Sequence, residues 1–145
     1  MWQVTASDLS ADALVLAKDN AKLNRVDISF VLADVFENVS GCFDIIVSNP
    51  PYISENDKNE VGLNVLTSEP KMALFADEDG LAIYRQILED ADKYLNPQGK
   101  LYFEIGYKQG EDLRKLLSLH FPDKHVRVLK DQFGQDRMVV MDDGK

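Results

Sequence analysis

Strand-like and helix-like segments alternate along this chain, and the alternation limits the folds that it can adopt. Short apolar or alternating runs are separated by segments whose apolar residues recur with helical periodicity. This order favours an α/β fold with a mostly parallel sheet. The predicted strands cover residues 2–6, 28–32, 45–47, 101–105, 126–129 and 138–141. The predicted helices cover residues 11–23 and 79–94, and Leu113, Leu116, Leu117 and Phe121 mark a third helix.

Local signals sharpen several of these boundaries. Ser10 is a typical N-cap for the first helix, and Asp12 in its first turn interacts favourably with the helix dipole. The continuous apolar run 45–47 is typical of a strand that is covered on both faces. Residues 96–99, which include Pro97 and Gly99, are expected to form a turn that ends the second helix.

Composition excludes several classes of function. The chain has 145 residues, which suits one domain, and its net charge of -9 argues against a broad phosphate-binding surface. A nucleic-acid partner is therefore not expected. Cys42 is the only cysteine and the two histidines lack partners at metal-ligand spacing, so no disulfide and no metal site are predicted. A lone cysteine and the absence of a long apolar run predict a cytoplasmic protein without a membrane span.

Polar side chains follow three of the predicted strands. Asp8, Asp34 and Asn49 each come shortly after a predicted strand. Ligands of such sheets bind outside the carboxyl ends of the strands. The sequence therefore predicts that these three side chains face one crevice. Asp8 could instead be a plain helix-entry residue, and Asp34 a solvated turn acid.

The segment Asn49-Pro50-Pro51-Tyr52 suggests the chemistry of that crevice. Two prolines remove two amide N–H groups and stiffen the backbone, so carbonyl acceptors dominate the loop. The Asn49 side chain adds an acceptor, and Tyr52 adds a ring on which a flat amide or base can stack. Two convergent acceptors can orient a planar NH₂ group for attack. An ordinary turn is the alternative, but its position after an apolar strand favours a functional loop.

The flanking sequence narrows this hypothesis. The informative segments are residues 43–53, Glu69-Pro70, Asp79-Gly80-Leu81, Glu104-Ile105-Gly106-Tyr107, Gln109-Gly110-Glu111 and Asp136-Arg137. Together they resemble the HemK-like release-factor glutamine methyltransferases along essentially the whole chain. The tetrapeptide alone is shared with adenine and guanine methyltransferases. The resemblance implies a class I S-adenosylmethionine-dependent methyltransferase fold, with strand order 3-2-1-4-5-7-6.

The resemblance also implies roles for matching residues. Asp8 is expected to accept hydrogen bonds from the ribose hydroxyls of S-adenosylmethionine. Asp34 and Val35 are expected to contact its adenine, although the family often has an aromatic residue at the position of Val35. Asn49 and the carbonyl of Pro50 are expected to hold the substrate amide and to act in catalysis together with Tyr52. Pro51 completes the expected substrate loop, and Asn49 is expected to contact the cofactor too.

One expected feature has no counterpart in the sequence. The resemblance implies a glycine-rich loop roughly twenty residues before Asp8, but the first glycine is Gly41. We expect residues 1–145 to form one incomplete catalytic domain without the family's first strand, that loop and the N-terminal helical domain. Each buried polar group left unpaired costs about 1–3 kcal/mol. The chain is therefore expected to fold poorly alone, to close its sheet differently, or to gain a strand from a homo-oligomeric partner.

The resemblance implies methyl transfer to the glutamine of the Gly-Gly-Gln motif in peptide-chain release factors. One alternative is an N-methyltransferase that acts on an exocyclic amine of adenine or guanine in nucleic acid, with the base flipped out. Another alternative is a non-catalytic remnant, for which the missing glycine-rich loop is the main support.

Overall fold

The computed structural model describes residues 2–50, 53–54, 75–76 and 80–144. The strands are β1 (Val4–Asp8), β2 (Ile28–Leu32), β3 (Phe43–Ser48), β4 (Ile53–Ser54), β5 (Phe75–Ala76), β6 (Leu95–Glu104), β7 (His125–Lys130) and β8 (Asp136–Asp142). The helices are α1 (Ala11–Leu23), α2 (Ala82–Tyr94) and α3 (Gly110–His120). The chain divides into two compact units, Met1–Gly41 and Cys42–Lys145.

The smaller unit, Met1–Gly41, is a parallel strand pair with one helix. β1 and β2 pair in register from Val4 with Ile28 to Asp8 with Leu32. β1 lies two residues later than predicted because its partner begins only at Ile28. The predicted bounds of α1 are confirmed, and so is its N-cap, since the Ala13 N–H donates to Ser10 Oγ at 3.2 Å.

The smaller unit buries few side chains. Its buried apolar residues, among those that the structure describes, are Leu14, Ala21 and Ala33. By contrast, the Val4 side chain on β1 is 46% exposed and that of Leu16 on α1 is 64% exposed. Hydrophobic stabilisation scales with the apolar area removed from water, so this unit gains little of it.

The larger unit, Cys42–Lys145, contains a four-stranded sheet in the order β3-β6-β8-β7. β3 runs parallel to β6, whereas β8 runs antiparallel to both β6 and β7. The carboxyl ends of β3, β6 and β7 therefore lie at one edge of the sheet together with the beginning of β8. We call this the carboxyl edge. The order agrees with the last four strands implied by the family resemblance.

The second helix ends at Tyr94, before residues 96–99, as predicted, and residues 96–99 themselves belong to β6. Phe43 pairs with Leu95, but Ile45 pairs with Lys100, so the register shifts between these two pairs. The extra residues of β6 bulge out of the ladder here. Pro97 has no N–H group to donate to the strand ladder. A Cβ atom at Gly99 would lie 2.5 Å from Leu95 Cδ1, so glycine allows the close packing within the bulge.

Both helices of the larger unit contribute to its core. The Tyr84 and Phe103 rings pack edge to face with centroids 5.2 Å apart. The buried apolar residues of this unit, within the described part of the chain, are Leu81, Tyr84, Ile87, Leu88, Ala91, Leu95, Leu101, Phe103, Ile105, Leu113, Leu117, Val139, Val140 and Met141. Four of these residues, Tyr84, Ile87, Leu88 and Ala91, lie on α2, within the predicted helix 79–94.

One packing prediction is wrong. The run 45–47 was expected to be covered on both faces, yet Val47 is 73% exposed and Ile45 is 36% exposed. Among the described residues, β3 pairs only with β6 and β1 pairs only with β2. Within the described residues, β1 and β3 therefore each pair on one side only, which leaves the Val47 side chain on β3 exposed.

Candidate functional site

Asp8 ends β1 and leads directly into α1. Its carboxylate Oδ1 accepts a hydrogen bond from the Ser10 N–H at 2.8 Å, and its backbone carbonyl accepts one from the Ala33 N–H at 3.0 Å. The first contact shows that Asp8 does shape the helix entry. The side chain nevertheless remains exposed, so the carboxylate is accessible to a ligand diol.

Asp34 and Val35 follow β2 at the same edge of the two-stranded sheet. Asp34 is exposed, whereas Val35 is half-buried and has a φ of 60°. The left-handed region is strained for a β-branched residue, and such strain clusters at functional sites. The Ser7 hydroxyl donates to the Val35 carbonyl at 3.5 Å, which links the ends of β1 and β2. Because β1 and β2 run parallel, Asp8 and Asp34 lie at the same edge of this two-stranded sheet.

Asn49 and Pro50 follow β3 at the carboxyl edge of the larger unit. Ser48, the last residue of β3, pairs with Phe103 on β6. The Asn49 side chain is exposed and Pro50 is buried. A buried proline anchors the loop backbone, and the amide beside it remains available to a substrate. Pro51 and Tyr52 lie outside the described residues, and the placement of Asn49 in one crevice with Asp8 and Asp34 stays a prediction.

Hydrogen bonds fix the carboxyl end of β6, the strand that pairs with β3. The Tyr84 hydroxyl of α2 donates to the carbonyl of Glu104 at 2.8 Å. The Ile105 N–H donates to the carbonyl of Arg137 at 2.8 Å, which joins the end of β6 to the beginning of β8. Buried, satisfied hydrogen bonds of this kind fix the backbone beside Asn49.

A closed turn follows β6. The Gly106 N–H donates to the Gln109 side-chain oxygen at 2.9 Å, and the Gln109 N–H donates to the Gly106 carbonyl at 3.0 Å. Gln109 is buried, so both contacts are shielded from water. The turn displays Tyr107, which is 45% exposed, with the Lys108 ammonium 5.3 Å from its ring centroid. No role for Tyr107 was predicted from the sequence, because its exposure depends on the fold of the turn.

The family-like residues Gly110 and Asp136 meet in space. A Cβ on Gly110 would lie 2.5 Å from Asp136 Oδ2 and 3.1 Å from Val128 Cγ1. Glycine at the start of α3 therefore allows the helix to approach the β7–β8 hairpin close to its tip. The spacing of these residues in the sequence does not reveal this contact.

The β7–β8 hairpin ends in a rigid tip at residues 131–135. The Asp131 carboxylate accepts hydrogen bonds from the N–H groups of Phe133 at 2.9 Å and Gln135 at 3.1 Å, and from the Arg137 guanidinium at 3.2 Å. The pKa of Asp131 lies below its ordinary value, chiefly because of the Gln135 N–H and further because of Phe133 and Arg137. Gly134 supplies the left-handed conformation with a φ of 78°.

The described residues contain neither a cluster of metal ligands nor a helix suited to a membrane. Across residues 2–50, 53–54, 75–76 and 80–144, no three His, Cys, Asp or Glu side chains cluster in a way that could hold a metal ion. No described helix combines the length and apolarity needed to cross a membrane. Cys42 is exposed, and its thiol lies 3.4 Å from the Lys93 carbonyl.

Known proteins share much of this sequence. The profile of the methyltransferase small domain matches residues 1–77. The chain is 61% identical over 144 residues to the release factor glutamine methyltransferase of Streptococcus pneumoniae, covering 99% of this chain and 52% of that protein. It is 46% identical over 138 residues to the Lactococcus lactis protein of the same name, covering 95% and 51%. The chain thus spans about half the length of these curated relatives.

The architecture is shared with solved methyltransferase structures. The ribosomal protein L11 methylase of Lactobacillus delbrueckii subsp. bulgaricus superposes with a TM-score of 0.65 at 23% identity, over 96% of this chain and 56% of that one. At this identity the likeness concerns the fold alone. The chain has the class I S-adenosylmethionine-dependent methyltransferase fold and belongs to the methyltransferase small domain family.

Proposed function

We propose that this chain is the catalytic portion of a protein-glutamine methyltransferase, with residues 1–145 contributing to one catalytic domain. The reaction transfers a methyl group from S-adenosylmethionine to the side-chain amide nitrogen of the Gly-Gly-Gln glutamine in peptide-chain release factors. The observation that carries the proposal is the exposed Asn49 beside the buried Pro50 at the carboxyl edge. High identity to release factor glutamine methyltransferases supports the choice of acceptor.

The smaller unit has side chains that fit the cofactor. The exposed Asp8 carboxylate would accept hydrogen bonds from the two ribose hydroxyls, because a diol offers two donors to one carboxylate. The exposed Asp34 carboxylate would accept a hydrogen bond from the adenine amine. The half-buried Val35 would contact the adenine through its backbone and its apolar side chain. When bound, S-adenosylmethionine supplies an electrophilic methyl group.

The larger unit has acceptors that fit the substrate amide. The Asn49 side-chain oxygen and the Pro50 carbonyl would each accept one hydrogen of the glutamine NH₂ group. An amide nitrogen is a poor nucleophile because its lone pair is delocalised into the carbonyl. Two fixed acceptors favour loss of that delocalisation and so stabilise the transition state more than the ground state. The loop also orients the nitrogen, and Tyr52 is proposed to stack on the amide plane.

Charge favours a protein acceptor over nucleic acid. The net charge of -9 would repel a phosphate backbone, whereas it does not prevent binding of a polypeptide. The single cysteine agrees with a cytoplasmic location for the reaction.

Replacement of Asn49 tests the proposal. We expect the chain to methylate a purified release factor, and Asn49→Ala to slow transfer about 100-fold, the scale observed when one transition-state hydrogen bond is removed. Methyl incorporation would be measured by mass spectrometry of the Gly-Gly-Gln peptide, with the Streptococcus pneumoniae relative as a positive control. Asn20→Ala, an exposed asparagine on α1, is the matched control and should retain full activity.

Three results would count against the proposal. Transfer that persists after the target glutamine is replaced would exclude this acceptor position. Full activity of Asn49→Ala would exclude the proposed role of the loop. If the Streptococcus pneumoniae relative transfers the methyl group and this chain does not, residues 1–145 are not sufficient for catalysis.

A further inference from the structure

Three segments of the larger unit converge on the carboxyl edge. They are the residues after β3, the turn at residues 106–109 and the hairpin tip at residues 131–135. Ser48 pairs with Phe103, which places the residues that follow β3 beside the turn at residues 106–109. The pairings of Glu104 with Met138 on β8, and of Lys130 on β7 with Asp136, place the tip at the same edge.

Two aromatic side chains at the carboxyl edge are strongly exposed. Phe133 at the hairpin tip is 78% exposed and Tyr107 in the turn is 45% exposed. The other strongly exposed large apolar side chains of the unit, within the described residues, are the aliphatic Ile45, Val47, Leu119 and Leu129. Single exposed apolar residues are common on protein surfaces. Two exposed aromatic rings on separate loops of one edge instead indicate a protein interface, because aromatic side chains are enriched at such interfaces.

The backbone beneath each ring is already ordered. The Phe133 N–H is bound by the Asp131 carboxylate, and the Asp131 N–H donates to the Gln135 carbonyl at 2.8 Å. The turn that carries Tyr107 is closed by Gln109 in both directions. A binding surface whose backbone is fixed beforehand loses less conformational entropy on association. Both loops thus have the rigidity expected of a preformed docking surface.

The distance between the hairpin and the amide-binding loop suits a protein acceptor. Neighbouring strands lie about 4.8 Å apart, so Asn49 and the hairpin are separated by roughly 12 Å across the sheet. A standard protein interface buries about 800 Å² on each partner and extends well beyond that distance. A folded protein that presents a glutamine to Asn49 is therefore large enough to contact the hairpin tip as well.

We propose that Phe133 and Tyr107 form a docking platform for the protein acceptor, outside the residues that hold the reacting amide. The proposal rests on the proposed function and adds a determinant of substrate recognition to it. The occupant is the release factor, bound through an apolar surface beside its Gly-Gly-Gln loop. Phe133 would be the main anchor because it is the more exposed ring and stands at the rigid tip.

Binding of a purified release factor to the 145-residue chain tests the platform. We expect Phe133→Ala to weaken the dissociation constant at least tenfold in calorimetric titration, since buried aromatic anchors dominate interface energies. Leu119→Ala is the matched control. Leu119 is 77% exposed but lies near the end of α3, away from the carboxyl edge, so its loss should change affinity less than twofold.

Kinetics separate docking from chemistry. Phe133→Ala should raise KM for the intact release factor while kcat stays unchanged, because docking binds ground state and transition state equally. A short Gly-Gly-Gln peptide cannot reach the platform. The wild-type chain and Phe133→Ala should therefore methylate it at the same rate. A photoreactive benzoylphenylalanine at position 133 should crosslink to the release factor, whereas the same group at position 119 should not.

The outcomes distinguish the two proposals. If the chain binds the release factor and Phe133→Ala binds equally well, the platform is excluded and the proposed function stands. If the wild-type chain does not bind the release factor, the proposed acceptor is excluded and the platform with it. The platform would also be excluded if Phe133→Ala lost binding to an RNA oligonucleotide while its affinity for the release factor stayed unchanged.

Discussion

The two units of this molecule differ greatly in how many apolar side chains they bury. Within the described residues, three buried apolar side chains lie in Met1–Gly41 and fourteen lie in Cys42–Lys145. Both units place polar residues at the carboxyl ends of parallel strands. The first presents the residues proposed for the cofactor, and the second presents those proposed for the acceptor.

Parallel strands that end in polar residues therefore occur in this chain both with and without a large buried core. Regions with few buried apolar contacts open at lower free energy than well-packed cores. β1 has Val4 exposed, while β6 buries Leu101 and Phe103 almost completely. We therefore expect the residues proposed for the cofactor in Met1–Gly41 to depend more on ligand binding for their order than those proposed for the acceptor in Cys42–Lys145.

The largest expected effect comes from removal of a core ring in the larger unit. Phe103→Ala should lower the free energy of unfolding by about 3–5 kcal/mol, because a fully buried ring is lost and a cavity is left. Urea denaturation followed by circular dichroism measures this change. Phe133→Ala, which removes the same side chain from an exposed tip, should change stability by less than about 0.5 kcal/mol. Equal losses from the two variants would contradict the assignment of the core.

A smaller and more local effect is expected in the smaller unit. Leu14→Ala should cost about 2–3 kcal/mol, because Leu14 is one of the few buried side chains there. Amide hydrogen exchange should accelerate in Val4–Asp8 and Ile28–Leu32 and remain unchanged in Asp136–Asp142. Leu16→Ala, on the exposed side of α1, is the control. Acceleration of exchange throughout the chain would show that the units do not open separately.

The smallest expected effect is an acid response confined to the hairpin tip. Hydrogen bonds from Gln135 and Phe133 lower the pKa of Asp131 in the folded state below its ordinary value of 3.8. A lowered folded pKa stabilises the fold above the unfolded pKa, and the contribution disappears as the pH falls through the folded value. Amides 131–135 should therefore lose protection below about pH 3.8. Asp131→Asn should remove this dependence, whereas Asp123→Asn should retain it.

Elements with local signals were predicted best from the sequence. The bounds of α1 follow from its N-cap and its apolar stripe, and the bounds of β2 were also predicted fully. Such signals depend only on neighbouring residues. The last two strands were found too, although each extends beyond its predicted ends.

Features that depend on distant partners were predicted less well. The exposure of Val47 depends on which strands flank β3, and a continuous apolar run does not contain that information. The bulge at residues 96–99 reflects the register with β3. In the candidate site, Asn49 and Asp8 were identified from their positions after strands. Phe133 was missed because neither its exposure nor its edge of the sheet can be derived from the hairpin sequence.

The antiparallel course of β8 has a consequence for how this protein can evolve. β7 and β8 are joined at a fixed register by residues 131–135, and both strand ends are held within the sheet. Surface loops tolerate insertions and deletions far better than the elements that they connect. The tip can therefore change in length or sequence without displacing Asn49. If both proposals hold, docking through Phe133 and methyl transfer at Asn49 can diverge independently, because they depend on two separate loops of one sheet edge.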